Sequence, residues 1–168
     1  MRKFIMFLAF FWLIFIFISS FLVLNGCPQS LDGLPLSVTS PEKMALWFKN
    51  EFKMHMRIPD EPQSPGETIA FKSGDCDDFA CLASVILSRL GIPNSVIVIE
   101  FEGLEIAHAI CVWKNHHGTY NFISNRRIYR TGDRRVIEMI RRHYSDWRRI
   151  TFVDIERNTL KTVKRRKR

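Results

Sequence analysis

A cysteine at the start of a predicted helix is the residue of this sequence best suited to nucleophilic chemistry. Cys76 follows a Ser-Gly-Asp turn at 73–75 and opens a segment with helical periodicity. The positive end of a helix dipole and its free N–H groups favour the thiolate, which is the reactive form of cysteine. The neighbouring carboxylates of Asp75, Asp77 and Asp78 oppose this effect. A cationic partner is therefore required, and a histidine in a thiolate–imidazolium pair would supply it.

His108 is the most suitable of the five histidines for that role. It lies in a predicted strand between Ala107 and Ala109, whose small side chains leave room around the ring. The other four lie in an irregular stretch, in a turn or at the end of a basic helix (His55, His116, His117 and His143). A strand histidine is usually structural, but a cysteine at a helix start earlier in the chain favours His108 as a base.

Periodicity and capping residues predict the elements that must position these two groups. Thr39 and Glu42 form one capping-box pattern, Ser64 and Glu67 form a second, and Asp75 is the expected cap of the cysteine helix. The predicted order is helices over 39–53, 64–71 and 76–90, strands over 95–101, 106–113 and 119–124, a helix over 133–144 and a strand over 150–155. Helices followed by an antiparallel meander indicate an α+β fold.

Three motifs give the sequence a family resemblance. They are Pro65-Gly66-Glu67-Thr68, the run Gly74-Asp75-Cys76-Asp77-Asp78-Phe79-Ala80, and His108-Ala109. Together they resemble the transglutaminase-like superfamily, most closely its bacterial transglutaminase-like cysteine proteinases, over about residues 40–126. The resemblance implies a papain-like core, in which a central helix carries the nucleophile and packs on a small antiparallel sheet. It also implies Cys76 as nucleophile and His108 as base.

The third catalytic position departs from the family pattern. The family usually has an aspartate near the end of the strand after the histidine, and the strand ending at 125 contains no acid. Asn125 is the first candidate, because an amide orients the imidazole in a Cys-His-Asn triad. Ser124 is the second candidate. A simple turn role for Asn125 remains the alternative.

The acids around Cys76 have two predicted roles. Asp78 matches the acidic position of the family motif and is expected to support the helix start. Some relatives are regulated by calcium through acids near the nucleophile, which would assign that role to Asp75 and Asp77. No other cofactor is expected, and the absence of CxxC and HExxH spacings excludes the usual zinc motifs.

The N-terminus predicts export and membrane attachment. Residues 4–24 carry no charge, Arg2 and Lys3 precede them, and no basic residue follows until Lys43. This asymmetry predicts a cytoplasmic N-terminus and an extracytoplasmic domain. The ending Leu24-Asn25-Gly26-Cys27 resembles a bacterial lipoprotein signal, in which Cys27 would be lipidated. An uncleaved signal anchor is the alternative.

The predicted organisation is a signal segment over 1–27, a tether over 28–38, the domain over 39–160 and a basic tail over 161–168. Cys81 and Cys111 are expected to be buried thiols, with a pair between them as the alternative.

The net charge of +8 comes from the ends of the chain, because residues 28–160 hold 17 basic and 17 acidic residues. The basic tail alone could form a nucleic-acid patch, but with a membrane segment at the other end of the chain no nucleic-acid partner is expected. Within that body, residues 126–160 hold 10 basic and 5 acidic residues, which indicates either a dipolar surface or a basic docking face.

These observations predict a membrane-anchored, extracytoplasmic cysteine hydrolase, either a peptidase or an amidase. Cys76, His108 and Asn125 would act on a protein or peptide substrate of the bacterial cell envelope, and acyl transfer to an amine would use the same groups. The competing interpretation is an inactive module of the same fold that binds an envelope partner.

Overall fold

In a computed structural model of the protein, the described residues are 31–56, 61–104, 106–154 and 159–164. The helices are α1 (Pro41–Glu51), α2 (Pro65–Phe71), α3 (Cys76–Arg89) and α4 (Val136–His143). The strands are β1 (Lys53–Met54), β2 (Ser73–Gly74), β3 (Asn94–Phe101), β4 (Ala107–Lys114), β5 (Tyr120–Ser124), β6 (Arg127–Arg130), β7 (Trp147–Asp154) and β8 (Thr159–Lys164).

The larger sheet is antiparallel and has the strand order β6-β5-β4-β3-β7-β8. The predicted meander is confirmed as β3, β4 and β5, and the predicted last strand is β7, which returns along β3. Four strands were not predicted: β6, β8 and the short parallel pair of β1 with β2. Strand β8 also extends into the predicted basic tail at 161–168, because it pairs along β7 as far as Lys164.

Hydrophobic side chains form one core on each face of this sheet. Successive residues of a strand point to opposite faces. Along β4, Ala109 and Cys111 therefore pack with α1 and α3, while Ile110 and Val112 pack with α4. The helices thus form two layers around the sheet, with the cysteine helix on one side and α4 on the other.

The starts of the first two helices agree with the capping predictions to within one residue. The Ser64 hydroxyl and the Glu67 carboxylate form the predicted capping box at α2. At α1 the cap is Ser40, whose Oγ accepts from the N–H of Lys43 at 3.3 Å, and not Thr39. The shift has a local cause, because Pro41 takes the first helical position, where its missing N–H costs nothing.

The described part of the predicted tether packs on the domain. Leu31 and Val38 are buried in the core that surrounds α3. A Cβ on Gly33 would lie 3.1 Å from Ile69 of α2, which shows how closely this segment approaches the helix. Residues 31–38 therefore pack on the domain and do not form a flexible tether.

The cysteines differ in their covalent state. Cys76 and Cys111 are free thiols, and Cys111 is fully buried as predicted. Cys81 is disulfide-bonded, so its prediction as a buried thiol was wrong. Cys27 and the apolar segment at 4–24 lie outside the described residues. Within the described ranges, no helix is long and apolar enough to cross a bilayer.

Candidate active site

Cys76 is the first residue of α3, and its position is set by the turn before it. The parallel pair β1–β2 holds that turn, and the N–H of His55 donates to the carbonyl of Gly74 at 2.9 Å. Asp75 follows in an extended conformation as the N-cap residue. The thiol of Cys76 is free and half-buried. It therefore lies where the N–H groups of the first helical turn stabilise negative charge.

Asp78 stabilises the start of α3 through hydrogen bonds to its carboxylate, which is the structural role expected for it. Its buried carboxylate accepts from the N–H of Asp75 at 3.1 Å. It also accepts from the backbone N–H and the side-chain amide of Gln63, at 2.7 and 2.8 Å. A Cβ on Gly74 would lie 2.8 Å from Asp78, so only glycine fits at that position without a shift. Gln63 had no sequence signal, because its partner is fifteen residues away.

The other two acids form a compact pair beside the thiol. Burial first, then a hydrogen-bonding interaction with Asp75 and its negative charge, raise the pKa of Asp77 to about 7. One buried oxygen of Asp75 has no hydrogen-bond partner among the described residues. Ligand atoms of Asp75, Cys76 and Asp77 all lie within 4.8 Å of one another.

This cluster only partly fits the calcium that the resemblance suggested. Calcium takes six to eight oxygen ligands in proteins. Asp75 and Asp77 supply carboxylate oxygens, but the third residue of the cluster supplies sulfur, which calcium does not favour. These residues alone do not form a calcium site.

His108 and Ser124 lie together on the face of the sheet that α4 covers. The two residues are on the paired strands β4 and β5, and Nε2 of His108 is 2.7 Å from Oγ of Ser124. Burial lowers the pKa of His108 below its usual 6.5. This burial favours the neutral imidazole. A neutral ring is suited to accept a proton during a reaction.

Asn125 lies next to this pair but does not make the 2.7 Å contact with Nε2. It forms the two-residue turn between β5 and β6 with Arg126, and its φ of +52° is in the left-handed region that asparagine tolerates. Its side-chain oxygen is buried and has no hydrogen-bond partner in the described part of the chain. The turn role is thus observed, and a catalytic role for Asn125 stays a prediction.

Tyr144 packs against the histidine of the site, and sequence reasoning did not select it. Its ring lies 5.8 Å from that of His108. Burial raises the pKa of Tyr144, an interaction with Ser124 opposes this rise, and the nearby groups of Tyr129 and Cys76 add to it. The only sequence signal was that Tyr144 ends an amphipathic helix.

Known proteins resemble the chain both in sequence pattern and in fold. The family described as "Transglutaminase-like domain" matches residues 38–141. The solved structure of calcium-bound LapG from Legionella pneumophila aligns with a TM-score of 0.52 and 19% identity. That alignment covers 75% of this chain and 68% of LapG.

No curated protein sequence matches the chain. The LapG alignment shows a shared α+β fold, and the family pattern spans α1 to α4, including Cys76, His108 and Ser124. The chain therefore belongs to the transglutaminase-like domain family.

Proposed function

We propose that this protein is a cysteine hydrolase of the transglutaminase-like type, with Cys76 as nucleophile and His108 as base. The observation that carries the proposal is the arrangement around His108. Its ring hydrogen-bonds through Nε2 to Ser124 and contacts Tyr144. Among the described residues no hydrogen bond joins the ring to Cys76, which packs in the core on the α3 side of the sheet, so the proposed proton transfer requires the thiol to reach the ring from that side. Membership of the family supports the same assignment.

The proposed reaction transfers an acyl group through sulfur. Because Ser124 engages Nε2, Nδ1 is the ring nitrogen that remains to take the thiol proton of Cys76. The sulfur then attacks an acyl carbon, and His108 returns the proton to the leaving amine as the C–N bond breaks. Water, activated by His108, cleaves the resulting thioester and releases an acid. An amine in place of water would complete an acyl transfer with the same groups.

Negative charge develops on the acyl oxygen during both steps. The backbone N–H groups at the start of α3 are the donors best placed to stabilise it, because the first turn of a helix leaves them without intrahelical partners. Asp75 precedes this turn and Asp78 fixes it, so both act as supporting residues. Ser124 is the residue proposed to orient His108, and Asn125 shapes the turn behind it.

The proposed location is outside the cytoplasm, attached to the cell-envelope membrane. Disulfides persist in oxidising compartments, so the disulfide-bonded Cys81 supports export. The apolar segment at 4–24 would provide the membrane attachment, as a lipoprotein signal or an anchor. The proposed substrate is a protein or peptide of the envelope.

An inactive module that binds an envelope partner is the second candidate. Two observations favour it: no carboxylate contacts His108 among the described residues, and residues 126–160 carry an excess of basic side chains. Partner capture that persists in Cys76→Ala, together with no turnover by the wild type, would favour this module over the enzyme.

Labelling with a thiol-directed acyl probe tests the enzyme. We expect Cys76→Ala to abolish labelling and His108→Ala to slow it by about 10²-fold or more, the usual contribution of a general base. Cys111→Ala is the matched control, because Cys111 is also a free thiol, but burial raises its pKa and keeps it unreactive. Labelling that is unchanged in both site variants would refute the assignment.

Calcium can be tested in the same assay, since the LapG structure is described as calcium-bound. Labelling in excess chelator and in added calcium would show whether Asp75 and Asp77 take part in such a site together with further ligands.

A further inference from the structure

The chain enters the described domain close to the segment proposed to attach it to the membrane. The uncharged apolar run ends at Leu24, and Leu31 is already buried in the core around α3. The seven residues from 25 to 31 span at most about 25 Å when fully extended. A domain of this size is about 35 Å across, so a chain of that length cannot reach around it. In the attached protein, the face next to Leu31 therefore lies towards the bilayer.

Two backbone turns keep residues 31–38, the entry segment, compact on that face. In the first turn the N–H of Leu34 donates to the carbonyl of Leu31 at 3.0 Å. In the second the N–H of Val38 donates to the carbonyl of Pro35, also at 3.0 Å. Leu31 and Val38 are both buried, so the core holds the segment at its two ends. The second turn thus stays close to the point at which the chain enters the domain.

The tip of the second turn is apolar and faces solvent. Leu36 is 96% exposed, the highest value among the exposed large hydrophobic residues of the described chain. It borders an apolar groove of about 180 Å³, whose walls include Leu34, Ile86 and Leu90. An exposed leucine beside an apolar groove is typical of a surface that binds an apolar partner or a membrane interface. The short connection to the apolar run selects the membrane.

Arg89 gives the same surface a positive charge. It is exposed, it is the last residue of α3, and it lines the groove together with Leu36. None of the ion pairs within the described ranges includes Arg89, so its guanidinium is available to an external anion. Arginine binds phosphate groups well, and membrane surfaces present them. Asp32 is the only acidic residue of the entry segment, and it lies in the first turn and not at the exposed tip.

We propose that the entry segment and the end of α3 form a bilayer-docking face, in which Leu36 inserts at the lipid interface and Arg89 binds lipid phosphates. This inference rests on the membrane attachment in the proposed function and goes beyond it, because it gives the domain one orientation on the membrane. The occupant of the apolar groove is then the lipid surface itself.

Photo-cross-linking from two positions tests the docking face. The whole chain is reconstituted in liposomes of phosphatidylethanolamine and phosphatidylglycerol, with benzoylphenylalanine in place of either Leu36 or Leu104. Leu104 is the matched control, because it is an exposed leucine in a different turn, beyond the far end of β3. The length of β3, about 23 Å, separates that turn from the end of α3. We expect lipid adducts from position 36 and only background from position 104, and a yield at position 36 no higher than at position 104 would overturn the proposal.

Charge reversal tests the phosphate contact in the same liposomes. We expect Arg89→Glu to lower the adduct yield from position 36 and to keep the wild-type melting temperature, because the side chain is exposed. Arg134→Glu is the matched control, since Arg134 is also exposed and precedes α4, which packs on the opposite face of the sheet. We expect its yield to equal that of the wild type. An equal yield in the two variants would contradict the phosphate contact of Arg89.

The same preparations separate this inference from the proposed reaction. Acyl-probe labelling of Cys76 without selective adducts at position 36 would refute the docking face alone. Selective adducts without labelling of Cys76 would refute the hydrolase and support the docking face. If the chain stayed in the supernatant after the liposomes were sedimented, both the proposed membrane attachment and the docking face would be wrong.

Discussion

Burial acts on two titratable residues of the site in opposite directions. It lowers the pKa of His108 and raises the pKa of Asp77, because in each case it disfavours the charged form. Both effects favour the uncharged forms of these two side chains. Each makes a prediction that concerns a single side chain.

For His108, the prediction concerns the pH dependence of the reaction. The neutral ring is the base, and a lowered pKa keeps the ring neutral to lower pH. We therefore expect the acid limb of the labelling rate to have its midpoint below pH 6.5. The measurement is the probe rate between pH 4 and 8, and a midpoint above 6.5 would indicate a stabilised imidazolium instead.

For Asp77, the prediction concerns stability. The folded carboxyl keeps its proton up to about pH 7, whereas in the unfolded chain its pKa is the usual 3.8. As the pH rises from 3.8 to about 7, this difference lowers the free energy of unfolding, and the loss is complete above pH 7. Below pH 3.8 the carboxyl is protonated in both states, and the difference has no effect on the free energy of unfolding. We expect Asp77→Asn to raise the melting temperature at pH 8 and to leave it nearly unchanged at pH 3.5. An equal gain at both values would attribute the effect to something other than charge.

At the level of elements, the start of α3 depends on close contact more than on helix propensity. Gly74 lies against Asp78, whose carboxylate satisfies backbone N–H groups from the turn and from Gln63. The nucleophile follows directly in the chain. A change in this turn is therefore expected to alter both stability and chemistry.

Gly74→Ala tests that dependence. The new Cβ would lie 2.8 Å from Asp78, so the turn must shift, at a cost of about 1–3 kcal/mol for overpacking. We expect lower stability to denaturant and slower labelling of Cys76. Gly132→Ala is the control, because nothing lies within 4 Å of its Cβ position. Equal stability of the two variants would show that the turn tolerates a side chain.

At the level of the whole molecule, the sheet joins the two helical layers, and Cys81 contributes a disulfide. Strand β7 follows α4 in the chain and pairs with β3 in the middle of the sheet. The sheet is therefore complete only when the residues after α4 have been added. Cys81 lies on α3, five residues after the nucleophile, and its disulfide constrains the unfolded chain.

Reduction is therefore expected to destabilise the protein. Removing a native disulfide typically costs about 2–4 kcal/mol, so a reductant should lower the melting temperature of the wild type but not that of Cys81→Ala.

Peptide mapping without reductant would identify the disulfide partner of Cys81. Cys76 and Cys111 are free, and Cys27 is the one other cysteine of the chain. A lipid on the Cys27 sulfur would exclude it as that partner, so the mapping also tests the predicted lipidation.

Predictions from the sequence succeeded where the signal was local. The Ser64–Glu67 box, the cap at Asp75 and the three-strand meander depend on residues within a few positions of one another. Strands β6 and β8 were missed because they are short or highly charged, and pairing with neighbours, not hydrophobic alternation, makes them strands. The state of Cys81 was missed because spacing alone does not identify a disulfide partner.

The amino-acid sequence by itself determined the α+β class, the helix that begins at Cys76 and the strand that carries His108, because periodicity and capping act over single turns and strand pleats. Only the tertiary structure decided which residue contacts the imidazole. Register between β4 and β5 brings Ser124 to Nε2, and packing of α4 on the sheet brings Tyr144 against the imidazole ring. Such contacts join residues far apart in the chain, and burial, not spacing, selects them.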